Sequence, residues 1–258
     1  MSFRVSIVQQ PLVWADPAAN RTHFASLLEP LAGKTDLVVL PEMFTTGFTM
    51  KPEQNAEPAQ GPTREWLLAQ AAALDAAVGG SVAVKEGGRF YNRFMIALPT
   101  GLTYWYDKRH LFRMGGEHRH YESGVHALII EWRGARLCPL VCYDLRFPVW
   151  SRRRPELDYD LVIYAANWPA ARRFAWSALL RARAIENQAY CVGVNRIGDD
   201  GLGMAHAGDS VVLDFMGQPL LELHDKPLVA TVPIDIEAVR GWRDKFPAHL
   251  DADAFSLE

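Results

Sequence analysis

Long apolar runs are missing from this chain. No stretch approaches the roughly 20 residues needed to span a bilayer, and the opening MSFRVSIVQQP reads as a short strand without the apolar segment of a signal peptide. Cysteine is scarce. Cys138, Cys142 and Cys191 make an odd number with no CxxC pair, so neither a disulfide framework nor a thiolate zinc site is indicated. Charge of one sign is not in excess either: the net charge of −3 and pI near 6.2 give no basic balance to recruit nucleic acid or an anionic membrane. The pairs Gly79-Gly80 and Gly87-Gly88 lack the Lys-Ser/Thr of a phosphate loop and read as helix-end and hairpin punctuation. No fixed-period repeat appears, which argues against a solenoid. What these absences leave is a reduced, cytoplasmic protein that takes a small neutral or anionic ligand.

What is present is enough to build a sizeable core. With 49% apolar and 22% charged residues over 258 positions and no linker, the expectation is a single domain over 1–258. Its C-terminal tail, from about 236 to 258, is expected at the surface or in a subunit contact. Strand signals at 5–8 and 37–40 alternate with helical spacing at 18–31 and 62–77. Two hairpins follow, turning at Gly87-Gly88 and Thr100-Gly101. Runs at 137–141, 161–164 and 190–194 give further strands. Between the last two, Phe174, Ala178, Ala182, Ile185 and Ala189 fall at helical spacing. A closing hairpin in SVVLDFMGQPLLEL, the strand LVATVPIDI and a polar helix from near Glu237 complete the pattern. Crossover units mixed with hairpins require either one mixed sheet or two sheets stacked face to face with helices outside.

Three apolar stretches each end in a reactive side chain: LVVLPE at Glu42, YWYDKRHLF around Lys108 and RLCPLVCYDLRFP around Cys142. A cysteine nucleophile needs a group to accept its proton and a positive donor to hold the oxyanion formed on a carbonyl, and these supply base, cation and thiol. Cys142 differs from Cys138 and Cys191, which read as small core residues, because a polar, turn-prone YDLRFP follows it. Glu42, Cys142 and Asn167-Trp168 each stand at the carboxyl end of an apolar strand, the edge where α/β sheets bind ligands.

The ordered series VSIVQQP, LPEMFTTGF, YDKRHLF, VCYDLRFP, RARAIENQAY and GDSVVLDFMGQPL resembles the nitrilase, or carbon–nitrogen hydrolase, superfamily across nearly the whole chain. The resemblance implies a four-layer α-β-β-α sandwich of two mixed sheets, paired through outer helices into a homodimer or larger homo-oligomer. It assigns Glu42 as general base, Lys108 as oxyanion stabiliser and Cys142 as nucleophile, with no cofactor. A second glutamate stands in many members between the lysine and the cysteine. Glu117 and Glu122 both qualify here, and Glu117 is preferred because the Ser123-Gly124 turn follows it.

Among branches of the superfamily, the motifs are most similar to the omega-amidases, which implies small dicarboxylate monoamides such as 2-oxoglutaramate and 2-oxosuccinamate as substrates. A distant carboxylate calls for a guanidinium fork, which Arg146 can provide unless it pairs with Asp144 or Glu186. Phe44, Tyr143, Asn167 and Trp168 are the other expected substrate contacts. Rival readings are a metal site from His118, His120 and His126 with Glu117 and Glu122, since HxH on an extended segment shares a side, and a non-catalytic binding protein. The Arg152 to Arg154 stretch and the Arg172-Arg173 doublet read as solvated helix ends or subunit contacts.

Overall fold

Successive side chains of a strand point to opposite faces, so a run such as LVVL must be covered on both sides. A computed structural model describes residues 2–255; Met1 and the last three positions of the expected 236–258 tail lie outside the described residues. In chain order the first strands are β1 (Ser2–Gln9), β2 (Leu37–Val39), β3 (Glu57–Pro58), β4 (Ala77–Glu86), β5 (Arg89–Ala97) and β6 (Thr103–Asp107). There follow β7 (Ile130–Trp132), β8 (Ala135–Val141), β9 (Leu161–Ala166), β10 (Tyr190–Asn195), β11 (Ile197–Asp199) and β12 (Ala205–Ala207). The last are β13 (Val211–Leu213), β14 (Pro219–Glu222) and β15 (Leu228–Asp235). The helices are α1 (Pro17–Leu28), α2 (Pro52–Asn55), α3 (Pro62–Leu74), α4 (Pro148–Ser151), α5 (Arg173–Asn187) and α6 (Ile236–Lys245).

Among the described residues the strands form two large mixed sheets and a small β11-β12 hairpin. One sheet runs β15-β1-β2-β4-β5-β6, with β3 beside β4; the other runs β14-β13-β10-β9-β8-β7. Each has three parallel strands at its centre (β1, β2, β4 and β8, β9, β10) flanked by antiparallel ones, apart from short β3, which runs parallel to β4. Leu37 and Val39 join the core shared between the sheets, while Val38 and Leu40 join Phe24, Leu28, Leu67 and Ala71 of α1 and α3 on the outer face. That is the expected sandwich of two sheets with helices outside.

Three local expectations change. The helix expected over 62–77 stops at Leu74, because Asp75 adopts a left-handed conformation and its N–H closes on the carbonyls of Ala71 and Ala72. Gly79-Gly80 is therefore not helix-end punctuation: it lies within β4, where a Cβ at Gly79 would stand 2.8 Å from the Phe94 ring and one at Gly80 2.7 Å from Leu40. In α5 the stripe that reveals the helix is not the buried one. Phe174 is 85% exposed and Ile185 also faces outward, while Trp176, Leu180 and Ala184 face the sheet over Gly193, along with the hydrogen-bonded Arg183 and Asn187. Burying two polar side chains disguises the inner face.

Register gathers the reactive strand ends. Val141 of β8 pairs with Ala165 of parallel β9, so the chain leaves both strands on the same edge, at Cys142 and Asn167. β2 in the facing sheet ends at Val39, and Glu42, three residues on, comes close enough to accept from Asn167 N.

Candidate active site

Cys142 sits at a sharp turn. β8 ends at extended Val141, Cys142 takes φ +44°, and a 3-10 turn runs through Cys142–Arg146. A non-glycine residue in this region is held there by its surroundings. The brace is Asp144, which is fully buried: Oδ2 accepts from Val141 N at 3.0 Å and from the Tyr106 hydroxyl at 2.8 Å, and Oδ1 accepts from His110 N at 2.9 Å. Trp150 Nε1 in turn donates to the Tyr106 oxygen at 3.0 Å. The polar residues after the cysteine thus hold the elbow from below.

Above it stand Glu42, Lys108 and Glu117, all without exposed surface. Lys108 Nζ donates to Glu42 Oε1 at 2.8 Å and to Glu117 at 2.9 Å (Oε2) and 3.1 Å (Oε1). Asn92, on β5, donates from Nδ2 to Oε1 of Glu42 at 2.8 Å and of Glu117 at 2.9 Å, while its Oδ1 accepts from Ser81 Oγ at 2.8 Å. Asn167 completes the cage, with its N–H 2.8 Å from Glu42 Oε2 and Nδ2 donating to the Glu42 carbonyl at 2.5 Å. Glu117 Oε2 also accepts from Phe112 N at 2.6 Å. Of the two candidate glutamates, Glu117 is the one turned to Lys108, and Glu122 is exposed.

Charge balance sets the protonation states. Burial alone would strip the proton from Lys108, but Glu117 and then Glu42 outweigh it and hold the ammonium far above its ordinary range. Burial pushes Glu117 upward against the pull of Lys108, with Glu42 adding to the rise. Burial and the facing Glu42 carboxylate push the Cys142 thiol well above its ordinary range, with Lys108 pulling the other way. The thiol is therefore protonated at neutral pH and faces the carboxylate that can accept its proton.

Thiol, carboxylate and ammonium open on one cavity of about 150 Å3. Tyr143, Arg146, Asn167 and Trp168 line it, as do Phe48, Phe112, Arg172 and His206. Arg146 pairs with neither Asp144 nor Glu186; its guanidinium lies 4.8 Å from the centre of the Trp168 ring. Phe44 is a correction. It packs against Phe24 and Trp66 in the outer core, at ring separations of 5.6 and 5.7 Å, because the left-handed Met43 turns the chain over and sends Glu42 and Phe44 to opposite sides.

The sequence profile of the carbon–nitrogen hydrolase family matches residues 4–244. This chain belongs to that family. As a carbon–nitrogen hydrolase it is an amidohydrolase acting on non-peptide amides. It is 48% identical to the omega-amidase YafV of Yersinia enterocolitica, over 99% of each chain, and 30% identical to the 2-oxoglutaramate amidase of Bacillus subtilis, over 97% of this chain and 98% of that one. The fold of XC1258 from Xanthomonas campestris, a CN-hydrolase superfamily protein carrying an arsenic adduct in its active site, matches with a TM-score of 0.97 and 48% identity over 100% of both chains.

In this carbon–nitrogen hydrolase the histidine cluster does not assemble. Glu117–Arg119 is a 3-10 turn rather than an extended segment, so His118 and His120 diverge, and among the described residues no three His, Cys, Asp or Glu side chains converge as metal ligands. Cys138 and Cys191 are core residues with thiols pushed up by burial. Arg152 and Arg153 are tied to Glu186 and Asp158, and Arg173 to Asp209, whereas Arg172 lines the cavity instead of capping a solvated helix. Sequence reading missed Asn92, whose only signal is a polar residue flanked by the apolar and aromatic positions of RFYNRFMIA, and His206. Among the described residues no helix is long and apolar enough to cross a membrane.

Proposed function

We propose that this amidohydrolase is an omega-amidase, releasing ammonia from small dicarboxylate monoamides of the 2-oxoglutaramate and 2-oxosuccinamate type through a thioester on Cys142. The observation that carries this reading is the convergence of Cys142, Glu42 and Lys108 on one aromatic-walled cavity that Arg146 also lines. In the first step Glu42 accepts the thiol proton as Sγ attacks the amide carbonyl. Lys108 Nζ, which donates to Glu42 and to both oxygens of Glu117, supplies the positive charge for the oxyanion by turning an N–H from the longer Glu117 contact toward it, and the backbone N–H of Tyr143 on the elbow is the second donor. Glu42 returns the proton to the departing nitrogen, and ammonia leaves. The same carboxylate then takes a proton from water, whose oxygen attacks the thioester; the acid departs and the thiol is restored. Every step is a proton or acyl transfer among this chain's own groups, so the mechanism calls for no metal or organic cofactor.

Glu117 acts through Lys108, fixing the ammonium in place beside Glu42. Arg146, over Trp168 and free of carboxylate partners among the described residues, suits the remote carboxylate of the substrate. The names of the relatives, omega-amidase and 2-oxoglutaramate amidase, agree with this choice of substrate. Phe174 and Ile185, exposed on α5, fit the expected pairing into a homo-oligomer through outer helices. Ammonia release from a panel of amides tests the reading: 2-oxoglutaramate should be cleaved faster than simple aliphatic amides or nitriles, and the reverse order would refute the branch assignment.

A further inference from the structure

Guanidinium groups shielded from water in this protein are generally matched to carboxylates. Arg93 is tied to Asp107 and Glu86, Arg183 to Glu186 and Arg243 to Asp160. Arg196 departs from this: fully buried, it donates from Nη2 to the Asp199 carbonyl and has no carboxylate partner among the described residues. The two that line the cavity beside Cys142 go further. Among the described residues neither the Arg146 nor the Arg172 side chain has an ion-pair or hydrogen-bond partner; Arg146 lies over Trp168, and Arg172 lies 5.5 Å from the centre of the Phe112 ring. An aromatic face compensates a half-buried cation only in part, and the strongest partner for a guanidinium fork is a carboxylate.

The backbone of Arg172 is fixed. It closes the 3-10 turn Ala170–Arg172, donating from N to the Pro169 carbonyl at 2.9 Å, and its own carbonyl accepts from Trp168 Nε1 at 2.9 Å. Trp168 therefore touches both residues, the Arg172 backbone through its indole N–H and the Arg146 guanidinium through its ring face. The next residue, Arg173, turns away to pair with Asp209 at 2.6 Å, so the doublet divides between scaffold and cavity. The carboxylates that line the cavity are engaged elsewhere: Glu42 by Lys108, Asn92 and Asn167, and Asp200 Oδ1 by the N–H groups of Leu202 and Met204 at 2.8 and 2.9 Å.

We infer that Arg172 is a specificity-determining residue, a second guanidinium that with Arg146 grips the carboxylate of an anionic amide at the end remote from the scissile bond. The inference rests on the omega-amidase reading and deepens it: the selection is for negative charge, made by a residue of the α5 approach rather than by the nucleophile's own turn. Binding through a charge-assisted pair acts on ground state and transition state alike, so its loss falls mainly on KM.

The test compares 2-oxoglutaramate with neutral pentanamide in the wild type, R172Q and R172K. The preference ratio of kcat/KM values should fall roughly 10- to 100-fold in R172Q, carried by KM, with part of it restored in R172K. An unchanged ratio, or equal losses on both amides, overturns the role of Arg172 even if the wild type prefers the anion. A wild type that shows no preference for the anion refutes the omega-amidase reading instead. Calorimetric binding of 2-oxoglutarate to C142A and to C142A/R172Q decides the role of Arg172 independently of turnover. At least tenfold weaker binding in the double variant supports it; equal affinity, or no binding to either, overturns it.

Discussion

Asn92 is bonded directly to Glu42, its Nδ2 lying 2.8 Å from the carboxylate oxygen that also accepts from Lys108. The second hydrogen of the same amide goes to Glu117, so one neutral side chain holds two carboxylates around one ammonium. Its orientation is set by Ser81, whose hydroxyl donates to Asn92 Oδ1 and accepts from Met43 N, next to Glu42. Removing the amide leaves buried acceptors short of a donor, and a hydrogen bond to a charged group is worth about 1.5–3 kcal/mol. Asn92→Ala should therefore lower kcat by roughly 10- to 100-fold while KM stays nearly constant. Steady-state kinetics check this; a kcat within twofold of wild type would show that the bridge does not position Glu42.

Because burial and Glu42 raise the Cys142 thiol, the resting enzyme should hold little thiolate at neutral pH. The rate of Cys142 alkylation by iodoacetamide is then expected to climb about tenfold per pH unit through pH 8, without levelling off. A plateau below pH 8 would indicate a preformed thiolate paired with Lys108, and proton transfer to Glu42 during attack would lose its basis.

Gly124 ties the glutamate loop to Lys108. Its N–H donates to the Lys108 carbonyl at 2.9 Å, and a Cβ there would collide with the carbonyl oxygen of Asp107. Gly124→Ala should cost about 1–3 kcal/mol of stability and lower kcat as well, since the strained backbone carries the ammonium. Thermal unfolding and assay of the same preparation test both effects. An alanine variant of unchanged Tm would mean that the loop relaxes freely.

The sequence exposes those parts of the site that end apolar strands. Glu42, Lys108 and Cys142 each follow a run whose hydrophobicity marks it as buried, and polar residues at such edges stand out. Asn92 does not, because it lies mid-strand in an antiparallel hairpin, where a polar side chain ordinarily faces water. Phe44 misleads for the opposite reason: it adjoins Glu42 in sequence, but the positive φ of Met43 separates them in space. Arg172 is hidden within a basic doublet whose members take different partners. The two-sheet architecture is legible from mixed crossovers and hairpins, whereas the return of β15 to pair with β1 depends on contacts more than 200 residues apart that no local pattern encodes.

Acid stability should report the Arg4–Asp36–Arg133 cluster. Burial would raise Asp36, but hydrogen bonds from Arg4 and Arg133 bring it from 3.8 down to about 2. A carboxyl depressed in the folded state contributes stability that is complete above its unfolded value and lost as the pH falls toward the folded one, here between about pH 4 and 2. Asp36→Asn should cost about 2 kcal/mol at pH 7, with the gap narrowing below pH 4. Urea midpoints at several pH values check the sign. A gap that stays constant down to pH 2 would contradict it.

The most direct test is intact-protein mass spectrometry on enzyme quenched during turnover of 2-oxoglutaramate. A covalent species heavier than the free chain by the substrate less ammonia is expected, mapped to Cys142 and absent in Cys142→Ala, which should remain folded but inactive. Turnover with no adduct on Cys142, or substantial ammonia release by purified Cys142→Ala, would contradict it.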